Sequence, residues 1–280
     1  MTPDLHIAAA PPRPGTRGRT RVAASRASLG FRDGHKGAHL SRTMMLPELT
    51  VLLSTAPPSA PRDELRRLIV EENLLGKRTA SNRGRADAYL SQLYGLDPAI
   101  PIYRLLRRLW DADPTARPAL ALLTSCARDP LLRAAAPGLL AIPVGEAVDA
   151  ARLTGALSTV ASRFTPATLA STSRNVGATF TQSGYLRGKL HKVRVRASAA
   201  PVAAVMAAAL GWMEGARGQF LLDSFWSRLL DRNPAEVLDL LLAAGRAGWL
   251  DIRSAAGVLE VRMDRLLTPA EMELCHGQSD

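Results

Sequence analysis

The sequence predicts a mainly α fold, a helical bundle with winged helix-turn-helix-like segments and short β-hairpins. Three observations predict it. Hydrophobic residues make up 47% of the 280 and aromatics only 5%, and Ala, Leu and Arg dominate, which are good helix formers. Mean hydropathy lies near zero, as for a chain that folds around a core rather than staying disordered. Finally, a helix opened by a proline runs twice to a glycine stop and then into an alternating, hairpin-like stretch.

The first 27 residues precede this fold as an arm. Pro11, Pro12, Pro14, Gly15 and Gly18 alternate with Arg13, Arg17, Arg19 and Arg21, which blocks regular structure and leaves a solvated cationic segment. It reads either as a tail that tracks phosphates or as sequence upstream of a true start at Val22. An N-terminal helical subdomain is then expected over 28–150, a C-terminal one with the winged-helix-like elements over 151–267, and a tail over 268–280.

In the first subdomain, His35 and His39 stand four apart, but Gly34 and Gly37 break any helix that would align them on a metal. Structural histidines are expected there. Leu65, Leu68, Ile69 and Leu75 form a helical stripe closed by Gly76. The next helix starts near Thr79 or Ser81 and ends at Tyr94, before Gly95 and Pro98. Lys77, Arg78, Arg83 and Arg85 gather at its start, where free backbone N–H groups already attract anions. The LGKRT string is no P-loop, because Glu71 stands where the first glycine is required. Leu105, Leu106, Leu109 and Trp110 face a core, leaving Arg104, Arg107 and Arg108 as a solvated arginine face.

Charge is distributed unevenly. The formal net charge is +11, and 32 of the 36 cationic residues are arginine, so the total alone says little about partners. Residues 150–213, however, carry eight cations and no acid, while 214–280 carry seven cations and eleven acids. An acid-free basic stretch inside a mixed-charge chain points to a polyanionic partner.

Within that stretch, Thr165 and Pro166 open a helix whose Leu169, Val176 and Phe180 face a core. Its other face offers Thr168, Ser171, Arg174, Asn175, Thr179 and Gln182, of which Arg174, Asn175 and Gln182 are candidates for base-edge or sugar contacts. Gly184 stops the helix, Tyr185 and Leu186 return to the core, and a basic ribbon follows. Alternation sets Val193 and Val195 on one side and Lys192, Arg194 and Arg196 on the other. With Arg187 and Lys189, these three are expected along phosphates.

The same order recurs at the C terminus, where Asn233 and Pro234 open a helix, Gly248 stops it, and alternating segments flank Ala256 and Gly257. Asp239, Asp251, Glu260 and Asp264 make this copy acidic, fitting packing or docking rather than nucleic-acid contact. Ala197–Met213 is uncharged but short, Ala-rich and interrupted by Pro201, so it reads as a buried core helix rather than a membrane span.

Cys126 and Cys275 have no CxxC or Cys/His spacing, which argues against a disulfide framework or a zinc site and fits a cytoplasmic setting. No nucleophile elbow, zincin helix or dinucleotide fingerprint is present. A non-enzymatic protein without cofactor or metal is expected. Double-stranded DNA is the first reading of the basic surface; a scaffold docking an acidic protein, or an RNA-binding role, are the alternatives.

The stretches SLGFRDGHKGAHLSRTMM, ENLLGKRTASNRGRADAYLSQLYGLDP, LLRRLWDAD, ARDPLLRAAAP, FTPATLASTSRNVGATFTQSGYLRG and AGWLDIRSAAGVLEVRM occur in this order. Together they resemble the BrxA-like proteins of BREX bacteriophage-exclusion systems, over residues 28 to 267. The resemblance implies a helical, non-enzymatic DNA-binding component of a phage defence island, acting beside a methyltransferase, an ATPase and a phosphatase-like protein. The arginine-rich arm departs from the family's pattern.

Overall fold

The computed structural model describes residues 25–34, 36–255 and 257–276. The expected arm and His35 therefore lie outside the described residues, apart from a helical turn over 25–29 that delivers Leu29 into the core. Among the described residues the N-terminal half then carries α1 (Leu46–Thr55), α2 (Arg62–Val70), α3 (Ala80–Tyr94), α4 (Pro101–Trp110), α5 (Arg117–Arg128) and α6 (Pro130–Leu140). Their ends follow local chemistry. The Thr79 side chain accepts the Asn82 N–H at the start of α3, and Gly95 ends it at φ +93°, a backbone region open to glycine.

The arginines of α4 form a solvated face only in part, with Arg108 exposed and Arg104 half-buried. Arg107 is buried, bonded to Asp111 and to the Ala56 carbonyl. Arg104 pairs with Glu271, and Arg108 donates to the Arg265 carbonyl. Arg104 and Arg108 thus bond toward the C-terminal end of the chain and Arg107 toward Asp111 and Ala56, and guanidinium groups are suited to such contacts because they reach several acceptors from one plane.

After α6 come β1 (Ala147–Val148), α7 (Ala150–Gly155), α8 (Pro166–Gln182), β2 (Leu186–Arg187) and β3 (Lys192–Arg194). β3 lies between β1 and β2, antiparallel to both, with Val193 opposite Ala147 on one side and Arg187 on the other. The order α6-β1-α7-α8-β2-β3, with the last two strands forming a hairpin beside the last helix, is the connectivity of a winged helix-turn-helix.

A second unit follows: α9 (Pro201–Met213), α10 (Phe225–Arg228), α11 (Pro234–Arg246) and the hairpin β4 (Asp251–Ala255) with β5 (Val258–Arg262). Asn233 and Glu236 close a reciprocal capping box at the start of α11. Beyond 267, residues Pro269–His276 form α12, whose Cys275 is fully buried.

The uncharged helix α9 is buried on every side from Val202 to Met213 and packs on α4, α5, α10 and α11, as a core helix does. Among the described residues no helix is long and apolar enough to cross a membrane. Buried side chains from Leu29 to Cys275 join in one cluster that runs through both halves.

Candidate nucleic-acid interface

Helix α8 begins where the sequence puts it. The Thr165 hydroxyl accepts the Thr168 N–H at 3.2 Å, and Pro166 occupies the first turn, where its missing N–H is no loss. Its buried side is unusual in being rich in hydroxyls: Thr172, Ser173, Val176, Gly177, Thr179 and Phe180. Thr172 and Ser173 satisfy themselves by donating to the carbonyls of Thr168 and Leu169, at 2.9 and 2.8 Å. Gly177 sits against Leu153 of α7 so closely that an added Cβ would come within 2.8 Å of it.

One flank of α8 is committed to the N-terminal half. Thr179, expected on the outer face, is fully buried: its hydroxyl accepts the Met44 N–H at 2.9 Å and lies 2.8 Å from His39 Nε2. His39 Nδ1 is 2.8 Å from Asp129 Oδ2, and Asp129 also caps α6 through the Leu131 and Leu132 N–H groups. A tautomer with Nδ1–H toward Asp129 and Nε2 accepting from Thr179 satisfies all three side chains. Burial raises the Asp129 carboxyl, but attraction to the His39 ring and the surrounding N–H donors outweigh it, so its pKa falls below the usual value. Asp, His and hydroxyl in this order resemble a hydrolase triad, yet all three are fully buried, so no substrate reaches the hydroxyl.

Two expected base-reading residues point the same inward way. Asn175 Nδ2 donates to the His39 carbonyl at 3.0 Å. Gln182 accepts the Leu46 N–H at 3.4 Å and donates to Thr43 Oγ1 at 3.3 Å. Both brace residues 39–46 against α8 instead of facing outward. The outward face is left with Ala167, Ala170, Ser171, Arg174, Ala178 and Thr181, of which Arg174 is exposed and pairs with no carboxylate among the described residues.

The wing also departs from the expected alternation. Arg194, meant to lie on phosphates, is only 1% exposed. It pairs with Asp231 at 2.8 Å, covers the Tyr185 ring at 5.4 Å and donates to the Val195 carbonyl. Asp231 stands in the α10–α11 turn at φ +57°, a conformation that small polar residues tolerate. Arg196 pairs with Glu236 and donates to the Asp231 carbonyl. The ribbon side carrying Arg194 and Arg196 is therefore the side laid against the second unit. Lys192 is tied back to α8, its Nζ donating to Thr181 Oγ1 at 2.8 Å, and burial lowers its pKa from the ordinary lysine value. What remains open is the wing tip, where Arg187, Gly188, Lys189, Leu190 and His191 are all exposed and, among the described residues, Arg187 and Lys189 pair with no carboxylate.

The basic group at α3 divides likewise. Lys77 pairs with Glu48 at 2.9 Å, and Arg83 is half-buried with its Nε lacking a partner. Arg78 and Arg85 are exposed and free of carboxylates. A cleft of about 440 Å³ brings this region to α8, lined among others by Arg42, Thr43, Lys77, Asn82 and Asn175. Arg42, absent from the sequence reading, stacks over Tyr89 at 5.1 Å beside it.

Among the described residues no group of three or more His, Cys, Asp or Glu side chains could hold a metal ion. The chain matches no protein-family profile and no curated protein sequence.

Proposed function

We propose that this protein binds double-stranded DNA without enzymatic activity, setting the outward face of α8 against a groove and the β2–β3 wing tip on phosphates. The observation that carries the reading is one continuous surface. α8 and the wing are joined by the Lys192–Thr181 bond, and together they expose Arg174, Arg187 and Lys189 in a stretch of chain with no acidic residue. The outward alanines of α8 favour close approach of a backbone or base edge. Arg78 and Arg85 form a second, separate basic group at α3.

The sequence resemblance adds a setting: the DNA-binding component of a BREX-type phage defence system, working beside its methyltransferase, ATPase and phosphatase-like protein. The free, buried cysteines Cys126 and Cys275 agree with a reducing cytoplasm.

The test is fluorescence anisotropy with one sequence as duplex DNA, single-stranded DNA and RNA across a salt series. Each phosphate contact contributes about −0.9 to the slope of log affinity against log salt, so three contacts give roughly −2.7. Changing Arg174, Arg187 and Lys189 together to Ala should remove up to that amount while leaving the melt unchanged, since all three are exposed. Parental affinity and slope in the triple variant would move the site to Arg78 and Arg85. Tight binding to an acidic partner protein with none to duplex would replace the reading by a scaffold role.

A further inference from the structure

The wing tip holds a residue that the fold does not use. Leu190 is 93% exposed, more than any other large hydrophobic side chain among the described residues. It stands in the turn Gly188-Lys189-Leu190-His191, with every neighbour exposed and Arg187 just before it. The turn is built to hold this shape. Gly188 adopts φ +107°, and a Cβ there would lie 2.0 Å from the His191 carbonyl oxygen, so only glycine lets the two strands close. Lys192 Nζ, 3.4 Å from the Gly188 carbonyl and 2.8 Å from Thr181 Oγ1, fixes the base of the turn to α8.

A lone apolar side chain ringed by cations is a poor fit to a protein interface, whose buried centre is depleted of charge. It fits a surface with an apolar interior behind a polyanionic rim. A DNA duplex is such a surface, its stacked bases lying behind phosphates, and proteins that enter the minor groove do insert leucines between base steps. We propose that Leu190 is an intercalating wedge: the wing tip enters the groove beside the one facing α8, Arg187 and Lys189 hold the phosphates, and Leu190 opens a base step and kinks the duplex. This rests on the duplex-binding reading.

The experiment uses the full chain with a short duplex carrying donor and acceptor dyes at its ends and a fluorescent purine analogue at successive positions. The parent should bend the duplex by an angle on the order of 20–90° and brighten the analogue at one step. Leu190→Ala should keep the parental melt and salt slope but lose the bend and the brightening, with affinity down roughly tenfold. Leu190→Met should restore both signals. Duplex bound by the parent without bending or brightening, or bent equally by Leu190→Ala, overturns the wedge and leaves duplex binding standing. No duplex binding by the parent at low salt overturns both. Binding of the parent to phosphatidylglycerol vesicles that is lost in Leu190→Ala, with duplex binding unaltered, assigns the tip to a lipid surface and overturns the wedge.

Discussion

Arg194→Ala separates the two roles that cations play in the β2–β3 ribbon. In the parent this side chain is 1% exposed, its guanidinium bonded to Asp231 at 2.8 Å and lying over the Tyr185 ring. Truncation leaves the Asp231 carboxylate without its partner and uncovers the ring. Breaking a buried ion pair from one side costs about 3–5 kcal/mol. Asp231 keeps 19% of its side chain exposed and retains the Ala197 N–H at 3.4 Å, and Arg194 Nε already lacks a partner. The lower end, about 3 kcal/mol, is therefore the expectation. At about 2–4 °C per kcal/mol for a chain of this size, the melting temperature should fall by roughly 6–12 °C. The assay is thermal melting by circular dichroism, paired with the salt series on duplex DNA. Lys189→Ala, one turn of the ribbon away and exposed, should leave the melt within about 0.5 kcal/mol. A normal melt for Arg194→Ala together with a flattened salt slope would refute this assignment and return Arg194 to the phosphates.

Thr179→Val keeps the shape of a fully buried side chain while stranding the Met44 N–H and His39 Nε2; a loss of about 2–4 kcal/mol in urea unfolding is expected, with Thr179→Ser close to the parent. The acid limb of stability should carry an Asp129 signature: its native pKa is lowered, so its contribution is present above the unfolded value of about 4 and is lost as pH falls through the native value. Parent and Asp129→Asn should therefore converge in stability as pH falls below about 4, and a constant gap would count against the linkage.

Helix ends were legible because caps are local chemistry. Thr165 with Pro166 and Asn233 with Pro234 each announce a helix start, Thr79 is the one of the two expected starts that caps its helix, and Gly95 ends it. The cations were legible only as a set: Arg174, Arg187, Lys189, Arg78 and Arg85 are exposed, but Lys77, Arg194 and Arg196, read from the same charge pattern, pair with carboxylates that are distant in sequence. Faces were harder. Alternation could not say that Lys192 turns back to α8 while Arg194 and Arg196 meet the second unit, because the partner carboxylates of the two arginines, Asp231 and Glu236, are distant in sequence. On α8 the buried side carries Thr172, Ser173 and Thr179, so the apolar stripe is too weak to mark it. Its polar partners His39, Thr43 and Leu46 lie in the other half of the chain.

The same corrections bear on specificity. α8 is held from three directions: by His39 and Asp129 through Thr179, by Leu153 of α7 packed on Gly177, and by the wing through Lys192. Helix α8 and the base of the wing are thereby tied to one another and to the N-terminal half. On the duplex-binding reading, Asn175 and Gln182 already bond residues 39–46 while staying half-exposed, with Asn175 lining the cleft beside Arg42 and Lys77, and the alanines at 167, 170 and 178 offer neither donor nor acceptor. Arg174 is then the one long polar side chain that α8 can extend into a groove, and a single arginine discriminates few positions. Affinity must come from phosphates at the wing and from the shape and deformability of the duplex rather than from a base code. Such a surface would tolerate many sequences and favour base steps that open easily.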